Sequence, residues 1–357
     1  MGREEMNGKL LEHQNDPARA GRAQARKRWM RLSLVVPCCN EEQVLPSTNR
    51  RLHAVLEELR VDYEIVYVDD GSTDSTLYLL REFQAYDDRV RVVRLSRNFG
   101  HQVAITAGLE HASGDAMVVI DADLQDPPEV IEAFLEQWRK GYDVVFGTRT
   151  HREGETAFKR WTARAFYRLI NGLSDTAISL DAGDFRLMDR KVVDALLAMP
   201  ERDRFVRGMV SWMGFSQIAV PYRRAARAAG ETKYPLVKML RFAADGIVSF
   251  SVVPLRIATW VGFASSAAAI AGVFIVLLER FFVVGVVKGW SSSLIAVLFI
   301  GGVQLICLGI IGEYVGRIYG EAKRRPLYLV EERIGFEAKA ELSAFDVYAG
   351  IASSGGR

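Results

Sequence analysis

Acidic side chains follow a short apolar segment near residue 120. The segment, Met117–Ile120, is continuous and rich in β-branched residues, which predicts a buried strand. Asp121, Asp123 and Asp126 follow it directly, with Gln125 among them. Carboxylates this close repel one another unless a cation lies between them. Mg²⁺ binds one or two protein carboxylates and takes its other ligands from water and phosphate, so the segment predicts a divalent-cation site that also binds phosphate.

Polar clusters follow several of the predicted strands. The strands are Leu32–Pro37, Tyr63–Val68, Val90–Leu95, Met117–Ile120, Asp143–Phe146 and Gly183–Met188. The clusters are Asn40–Glu41, Asp69–Asp70, Asp121–Asp123 and Arg149. Segments with helical periodicity separate the strands, which predicts an α/β fold with a mostly parallel sheet. Ligands bind at the carboxyl edge of such a sheet, so the clusters predict one site; a polar turn before Pro127 is the alternative for the acidic segment alone.

The phosphate-binding motifs of common nucleotide-binding folds are missing from the sequence. It has neither a GxGxxG after the first strand nor a GxxxxGK[ST] segment. We therefore expect Asp121 and Asp123, with Gln125, to hold a metal that binds a nucleotide diphosphate and stabilises it as a leaving group. Asp69 and Asp70 would accept hydrogen bonds from the base and ribose.

Two more clusters at the same edge can contact such a ligand. Asn40 and Glu41 can reach the same nucleoside, because they follow the neighbouring strand. Arg149 can offer two parallel hydrogen bonds to a phosphate or a carboxylate.

Composition excludes several other classes of protein. The net charge of the 357 residues is only +2, which does not indicate a nucleic-acid-binding surface. The three cysteines form neither a disulfide framework nor a metal-binding spacing. Residues 1–30 are polar and basic without an apolar core, so we expect a disordered arm and not a signal peptide.

The C-terminal third predicts attachment to a membrane. Leu236–Phe250 has the pattern of an amphipathic interfacial helix, and Ile257–Leu278 and Leu294–Val315 are apolar enough to cross a bilayer. Basic residues flank the pair while the connecting loop has few charges, which places the α/β domain and the tail in the cytoplasm. Two buried core helices are the alternative. The predicted segments are an arm (1–30), an α/β domain (31–234), an interfacial helix (235–253), two spans (254–320) and a tail (321–357).

Four motifs together resemble a known family. PCCNEE, VDDGSTD, DADLQDPPE and GTR occur in this order, and the chain resembles the glycosyltransferases of family 2, which implies the GT-A fold. With GDFRLMDR, ERDRFVRG, GETKYP and two apolar spans, it is similar to polyisoprenyl-phosphate glycosyltransferases, such as dolichyl-phosphate mannose synthase and bacterial undecaprenyl-phosphate glucosyltransferases. The resemblance covers residues 32 to 325.

The resemblance implies a role for each matching residue. The nucleoside would be held by Pro37, Asn40, Glu41, Asp69 and Asp70, with Asp121 contributing to nucleotide binding. Mg²⁺ or Mn²⁺ and the diphosphate would be held by Asp121, Asp123 and Gln125. The cations around the donor and acceptor phosphates would be Arg149, Arg164, Arg207 and Lys233. Cys39 stands where some relatives have a tyrosine, and it has no aromatic ring to stack on the base.

The implied reaction is inverting transfer of one hexose from a nucleotide-diphosphate sugar, UDP-glucose, to undecaprenyl phosphate in a bacterial inner membrane. A phosphate monoester is largely a dianion at neutral pH and needs little help to lose a proton. Asp184 stands where many relatives carry a base, and the sequence leaves open whether it is a base or orients a substrate. The sequence lacks the QxxRW segment of processive synthases, which argues for one sugar per turnover.

Other interpretations stay open at this point. The donor could instead be UDP-galactose, a UDP-4-amino-arabinose derivative or GDP-mannose. Two other classes are a non-catalytic nucleotide-sugar-binding membrane anchor and a subunit of a lipid flippase. Self-association of the spans is also left open.

Overall fold

The computed structural model describes residues 26, 30–149, 182–223, 253–282 and 290–336. The strands are β1 (Arg31–Cys38), β2 (Asp62–Asp69), β3 (Val90–Leu95), β4 (Ala116–Val119), β5 (Val144–Arg149), β6 (Ala182–Asp189), β7 (Gln217–Tyr222) and β8 (Val330–Ile334). The helices are α1 (Leu45–Glu58), α2 (Thr76–Tyr86), α3 (His101–His111), α4 (Val130–Arg139), α5 (Arg190–Leu197), α6 (Val206–Trp212), α7 (Val253–Phe282) and α8 (Trp290–Ala322).

All described strands form one sheet, in the order β7-β5-β6-β4-β1-β2-β3-β8. The central strands β4, β1, β2 and β3 are parallel, and β7 is parallel to β5. Strand β6 runs antiparallel between β4 and β5, and β8 runs antiparallel along β3. The predicted fold class, an α/β fold with a mostly parallel sheet, is confirmed.

Both faces of the central sheet are buried. Leu32, Leu34 and Val36 of β1 belong to one apolar cluster, which also contains side chains of α1 and α4. Val35 belongs to the cluster on the other face, with side chains of α3 and α5. A Cβ on Gly108 of α3 would come within 2.3 Å of Val35, so only a glycine lets this helix approach the sheet so closely. Burial on both faces explains why these strands are continuous apolar runs.

The edge strand β8 was not predicted from the sequence. The boundaries above place residues 321–357 in a tail outside the α/β domain, whereas β8 belongs to the sheet of that domain. Its sequence, VEERI, carries little apolar signal, and the strand forms by pairing with the open edge of β3. Arg81 and Arg94 add ion pairs to Glu332 and Glu331.

One described residue of the N-terminal arm contacts the α/β domain. The guanidinium of Arg26 donates hydrogen bonds to the carbonyls of Trp138 at 2.8 Å and Tyr142 at 2.9 Å, and it pairs with Asp143 and Asp189. The arm is therefore attached to the domain at this residue. The rest of the arm lies outside the described residues, apart from Met30.

Two long apolar helices, α7 and α8, follow the sheet domain. Within the described residues, Phe299–Ala322 is long and apolar enough to cross a membrane, and Ile257–Gly272 is a shorter apolar helix. Large side chains such as Trp260, Phe263 and Leu305 are exposed. An apolar surface of this extent indicates association with a membrane. The predicted interfacial helix, 236–250, lies outside the described residues.

Candidate active site

The direction of β6 brings two distant acidic residues to one edge of the sheet. Because β6 is antiparallel to β4, its first residues lie beside the end of β4. Asp121 follows β4, and Asp184 lies near the start of β6. His101, the first residue of α3, lies between them. Its Nε2 is 3.5 Å from Asp121 Oδ1 and 3.4 Å from Asp184 Oδ2.

Asp184 is held by a cation. Its two oxygens accept hydrogen bonds from Arg207 Nε at 2.8 Å and Nη2 at 2.9 Å, and Gln102 donates a further bond at 3.2 Å. Burial would raise the pKa of Asp184, but the Arg207 pair and then His101 hold it well below its usual range. Asp184 is therefore a stable carboxylate and a weak proton acceptor.

Asp121 has the opposite electrostatic environment. Burial is the main cause that raises the pKa of its carboxyl, and the nearby charges of Asp184, Asp126 and Asp123 add to it. The opposing effect of His101, which lowers the pKa, is smaller than these together. The pKa of Asp121 is raised to about 6. Its Oδ1 is buried and has no hydrogen-bond partner among the described residues. An added cation would relieve this unfavourable charge.

The carboxylates at this edge fit a divalent cation that is completed by other ligands. Asp123 lies two residues after Asp121, and its Oδ1 accepts a hydrogen bond from the backbone N–H of Gln125 at 3.1 Å. The described residues contain no group of three His, Cys, Asp or Glu side chains placed to hold a metal by themselves. Mg²⁺ needs only one or two protein carboxylates when phosphate and water supply its other ligands, so this donor set suits it.

Asp126 has a different role from the other two acids of the segment. It is 1% exposed and accepts a hydrogen bond from the hydroxyl of Tyr222 in β7. This bond fastens the segment between β4 and α4 to another strand of the sheet. Asp126 therefore supports the site from inside the fold.

The backbone occupies both oxygens of Asp70 but only one oxygen of Asp69, whose Oδ2 has no hydrogen-bond partner among the described residues and lies 3.9 Å from Arg94 Nε. The two oxygens of Asp70 accept hydrogen bonds from the N–H groups of Phe99 at 2.7 Å and Gly100 at 2.9 Å. Asp69 is fully buried, accepts a bond from Ser72 N at 3.1 Å, and has a pKa raised chiefly by burial. These bonds order the loops that follow β2 and β3 at this edge, while direct contact of either carboxylate with a nucleoside stays a prediction.

The predicted nucleoside residues after β1 join the same loops. Asn40 Oδ1 accepts a hydrogen bond from Thr73 N at 2.8 Å, and Asn40 N donates to Ser72 Oγ at 3.0 Å. Glu41 N donates to Thr76 Oγ1 at 2.8 Å. The structure thus brings Asn40 and Glu41 to the edge at which β2 ends.

The structure describes some of the remaining predicted site residues and not others. Pro37 is buried within β1 and pairs with Val68 of β2. Arg149 is the last residue of β5 and pairs with Tyr222 of β7. Arg164 and Lys233 lie outside the described residues.

Three residues of the site were missed in the sequence. His101 and Gln102 begin α3, and Arg186 lies in β6 two residues after Asp184. Arg186 is 3% exposed, its Nε has no hydrogen-bond partner among the described residues, and burial lowers its pKa to about 10. The signal available for Arg186 was the alternation of Asp184 and Arg186 with the apolar residues Phe185 and Leu187 in one strand.

Comparison with known proteins decides the family. The model of the family described as "Glycosyl transferase family 2" matches residues 33–197. A Bacillus subtilis (strain 168) protein, "Uncharacterized glycosyltransferase YkcC", is 51% identical over 312 residues, which cover 87% of this chain and 97% of that protein. The chain belongs to glycosyl transferase family 2. The predicted family is confirmed, and the protein is a glycosyltransferase.

Two further relatives of this glycosyltransferase also match over most of their length. A Synechocystis protein, "Uncharacterized glycosyltransferase sll0501", is 46% identical over 86% of this chain and 96% of its own. The Escherichia coli (strain K12) protein named "Prophage bactoprenol glucosyl transferase homolog" is 42% identical over 85% of this chain and 99% of its own. The similarity therefore extends well beyond the residues matched by the family model.

Proposed function

We propose that this glycosyltransferase moves one glucose from UDP-glucose to undecaprenyl phosphate, with inversion at the anomeric carbon. The observation that carries the proposal is the attachment of the Arg207 region to a membrane helix. Arg202 N donates to Glu321 of α8 at 2.8 Å, and Arg317 of α8 pairs with Asp203 at 3.0 Å. A phosphate carried by a lipid would therefore reach the acidic edge of the sheet beside Arg207.

The relatives support this choice of substrates. The Escherichia coli relative and one from Shigella phage SfV, each 42% identical, carry bactoprenol glucosyl transferase in their names. The names support glucose as the sugar and a polyprenyl phosphate as its acceptor. UDP as the nucleotide is part of our proposal, as is a cytoplasmic α/β domain attached to the bacterial inner membrane by two spans.

The reaction needs no proton abstraction. An oxygen of the phosphate dianion supplies the electron pair for the new bond to the anomeric carbon. The bond from that carbon to the diphosphate breaks on the opposite side, and its electrons leave with UDP. The products are the glucosyl lipid phosphate and UDP, so the charges balance without a base.

Asp184 then orients a substrate and does not abstract a proton. A base must accept a proton near the working pH, and the pKa of Asp184 lies well below its usual range because Arg207 and His101 stabilise the ionised form. Its carboxylate also fixes the guanidinium of Arg207 through two hydrogen bonds. We infer that this pair positions the cation for the acceptor phosphate.

Asp121 and Asp123, with Gln125, are the residues that would hold Mg²⁺ or Mn²⁺. A bound cation would supply positive charge to the diphosphate as it leaves. The chain provides the preorganised negative edge that holds this charge in place, which is the usual source of electrostatic catalysis.

A panel of radiolabelled donors tests the proposal. The purified full chain, with undecaprenyl phosphate in detergent micelles, receives UDP-glucose, UDP-galactose, a UDP-4-amino-arabinose derivative or GDP-mannose. We expect lipid-linked label mainly from UDP-glucose. Preference for another donor would overturn the choice of sugar. Donor binding without transfer would favour the nucleotide-sugar-binding anchor, and lipid flipping by the protein in liposomes without any donor would favour a flippase subunit.

A further inference from the structure

A groove of about 800 Å³ lies between α7 and α8. Its α7 wall has mostly small side chains, with Leu255 and Phe263 as the large ones, and its α8 wall is mostly aliphatic. Representative lining residues are Gly262, Ser266 and Ala269 of α7, and Ile300, Val303 and Ile311 of α8. A Cβ built at Gly262 would meet nothing within 4 Å, so the small residues leave real space beside the helix.

The groove is elongated along the helices. The α8 residues that line it extend from Ile300 to Ile311, which is about 17 Å of helix at 1.5 Å per residue. At the Ala258 level the helices are close, because Cys307 Sγ lies 3.5 Å from the Ala258 carbonyl. The space is therefore long and narrow, which suits an extended hydrocarbon chain.

One end of the groove points toward the proposed phosphate site. Ile311 precedes Arg317 by six residues, about 9 Å of helix. Arg317 pairs with Asp203 and Glu313, and Arg207, which pairs with Asp184, follows at the start of α6. A molecule lying in the groove thus has apolar walls along its length and cations beyond one end. This arrangement is complementary to a lipid with a phosphate head and an isoprenoid tail.

We infer that this groove binds the isoprene units of the polyprenyl phosphate acceptor that follow the unit next to the phosphate. The inference rests on the proposed function and adds the site of the lipid tail to it. Small residues and Gln304 on the groove walls would also suit a helix of a second copy of this chain. The continuity of the groove with the cations favours the lipid, because a second copy would need no cations at the groove end.

Filling the groove tests the inference. Gly262→Leu and Ser266→Leu place larger side chains inside it, while Ala268→Leu makes a similar change on α7 at an exposed residue outside the lining. The measurement is kcat/KM for undecaprenyl phosphate and for dimethylallyl phosphate, which has a single isoprene unit. For the filled variants, we expect kcat/KM to fall at least about tenfold with undecaprenyl phosphate, mainly through a higher KM, and to change little with dimethylallyl phosphate. In the control variant, the ratio of kcat/KM for the long acceptor to kcat/KM for the short one should equal that of the wild type.

The outcomes separate the inference from the proposed function. A photoreactive polyprenyl phosphate should crosslink to the groove of the wild type and less to that of the filled variants, with or without donor. Transfer to undecaprenyl phosphate with an unchanged long-to-short ratio would overturn the groove alone. If the filled variants also dissociate into smaller oligomers, a second copy is the occupant. Crosslinking in the groove without transfer from any donor would overturn the proposed function and leave the lipid site standing.

Discussion

Two acids at the same edge of the sheet, Asp70 and Asp121, have opposite environments. Asp70, after β2, is satisfied by the N–H groups of Phe99 and Gly100, and Asp69 beside it is buried with Arg94 Nε 3.9 Å from its Oδ2. Asp121, after β4, has a buried oxygen without a hydrogen-bond partner among the described residues and a pKa raised to about 6, chiefly by burial. Asp70 is used to build loops, and Asp121 is left with unfavourable charge that a ligand can relieve. The hydrogen-bond partners of an aspartate, and not its residue type, indicate whether it stabilises a loop or is available to a ligand.

The largest effect should come from the acids after β4. Asp123→Ala should lower transfer to undecaprenyl phosphate by about a thousandfold, since a metal contributes several kcal/mol of transition-state stabilisation. Thermal unfolding of the detergent-purified protein should change little. Activity within tenfold of the wild type would show that Asp123 holds no essential cation.

Removing the acid after β2 should mainly affect stability. Asp70→Ala deletes two charge-assisted hydrogen bonds to the backbone and should lower the free energy of unfolding by about 3 kcal/mol. Thermal unfolding of the detergent-purified variant measures this. A variant as stable as the wild type but inactive would mean that Asp70 binds the donor, and the contrast between Asp70 and Asp121 would fail.

Removing the charge of Asp184 should reduce activity less than removing the carboxylate of Asp123. Asp184→Asn keeps a hydrogen-bond acceptor for Arg207 and should lower kcat by less than about tenfold. An asparagine can still orient Arg207, whereas it could not act as a base. The pH profile of kcat should keep its shape. A loss comparable to that of Asp123→Ala would identify Asp184 as an obligatory base.

The raised pKa of Asp121 predicts a pH-dependent affinity for metal. The carboxylate must lose its proton to bind a cation, so Mn²⁺ affinity should weaken by about tenfold for each pH unit below about 6 and level off above it. Titration calorimetry at several pH values measures the slope. Asp121→Asn is the matched control, and its weaker binding should show no such slope; a flat wild-type profile between pH 5 and 7 would contradict the assignment.

The smallest effect should come from the tail strand. Glu332→Gln removes an ion pair with Arg81 in which the two side chains are 39% and 51% exposed, and exposed pairs contribute little. The free energy of unfolding should fall by less than about 1 kcal/mol, with unchanged transfer activity. A large loss of activity would show that the tail positions the site.

Continuous apolar segments made the central strands predictable. Burial of both faces leaves an unambiguous signal, so β1 to β4 were located to within one or two residues. Strand β8 could not be found because VEERI forms a strand only by pairing with β3. A short, charged edge strand forms because it pairs with its neighbour, so its own hydropathy does not predict it.

The site was predictable in part for a related reason. The acids follow strands directly, so the parallel sheet brings them to one edge, as expected. His101 could not be placed between Asp121 and Asp184, because that position depends on β6 running antiparallel to β4. Nor could the sequence show that Asp70 is bound by the backbone before α3.

Metal removal tests the central claim most directly. Full-length protein is stripped with EDTA, dialysed, and assayed for transfer of radiolabelled glucose from UDP-glucose to undecaprenyl phosphate, before and after addition of Mg²⁺ or Mn²⁺. We predict that transfer is abolished by stripping and restored by either ion in the wild type, but not in Asp123→Ala. Full transfer by the stripped enzyme would contradict the assignment of Asp121 and Asp123 as the cation-binding acids of this glycosyltransferase.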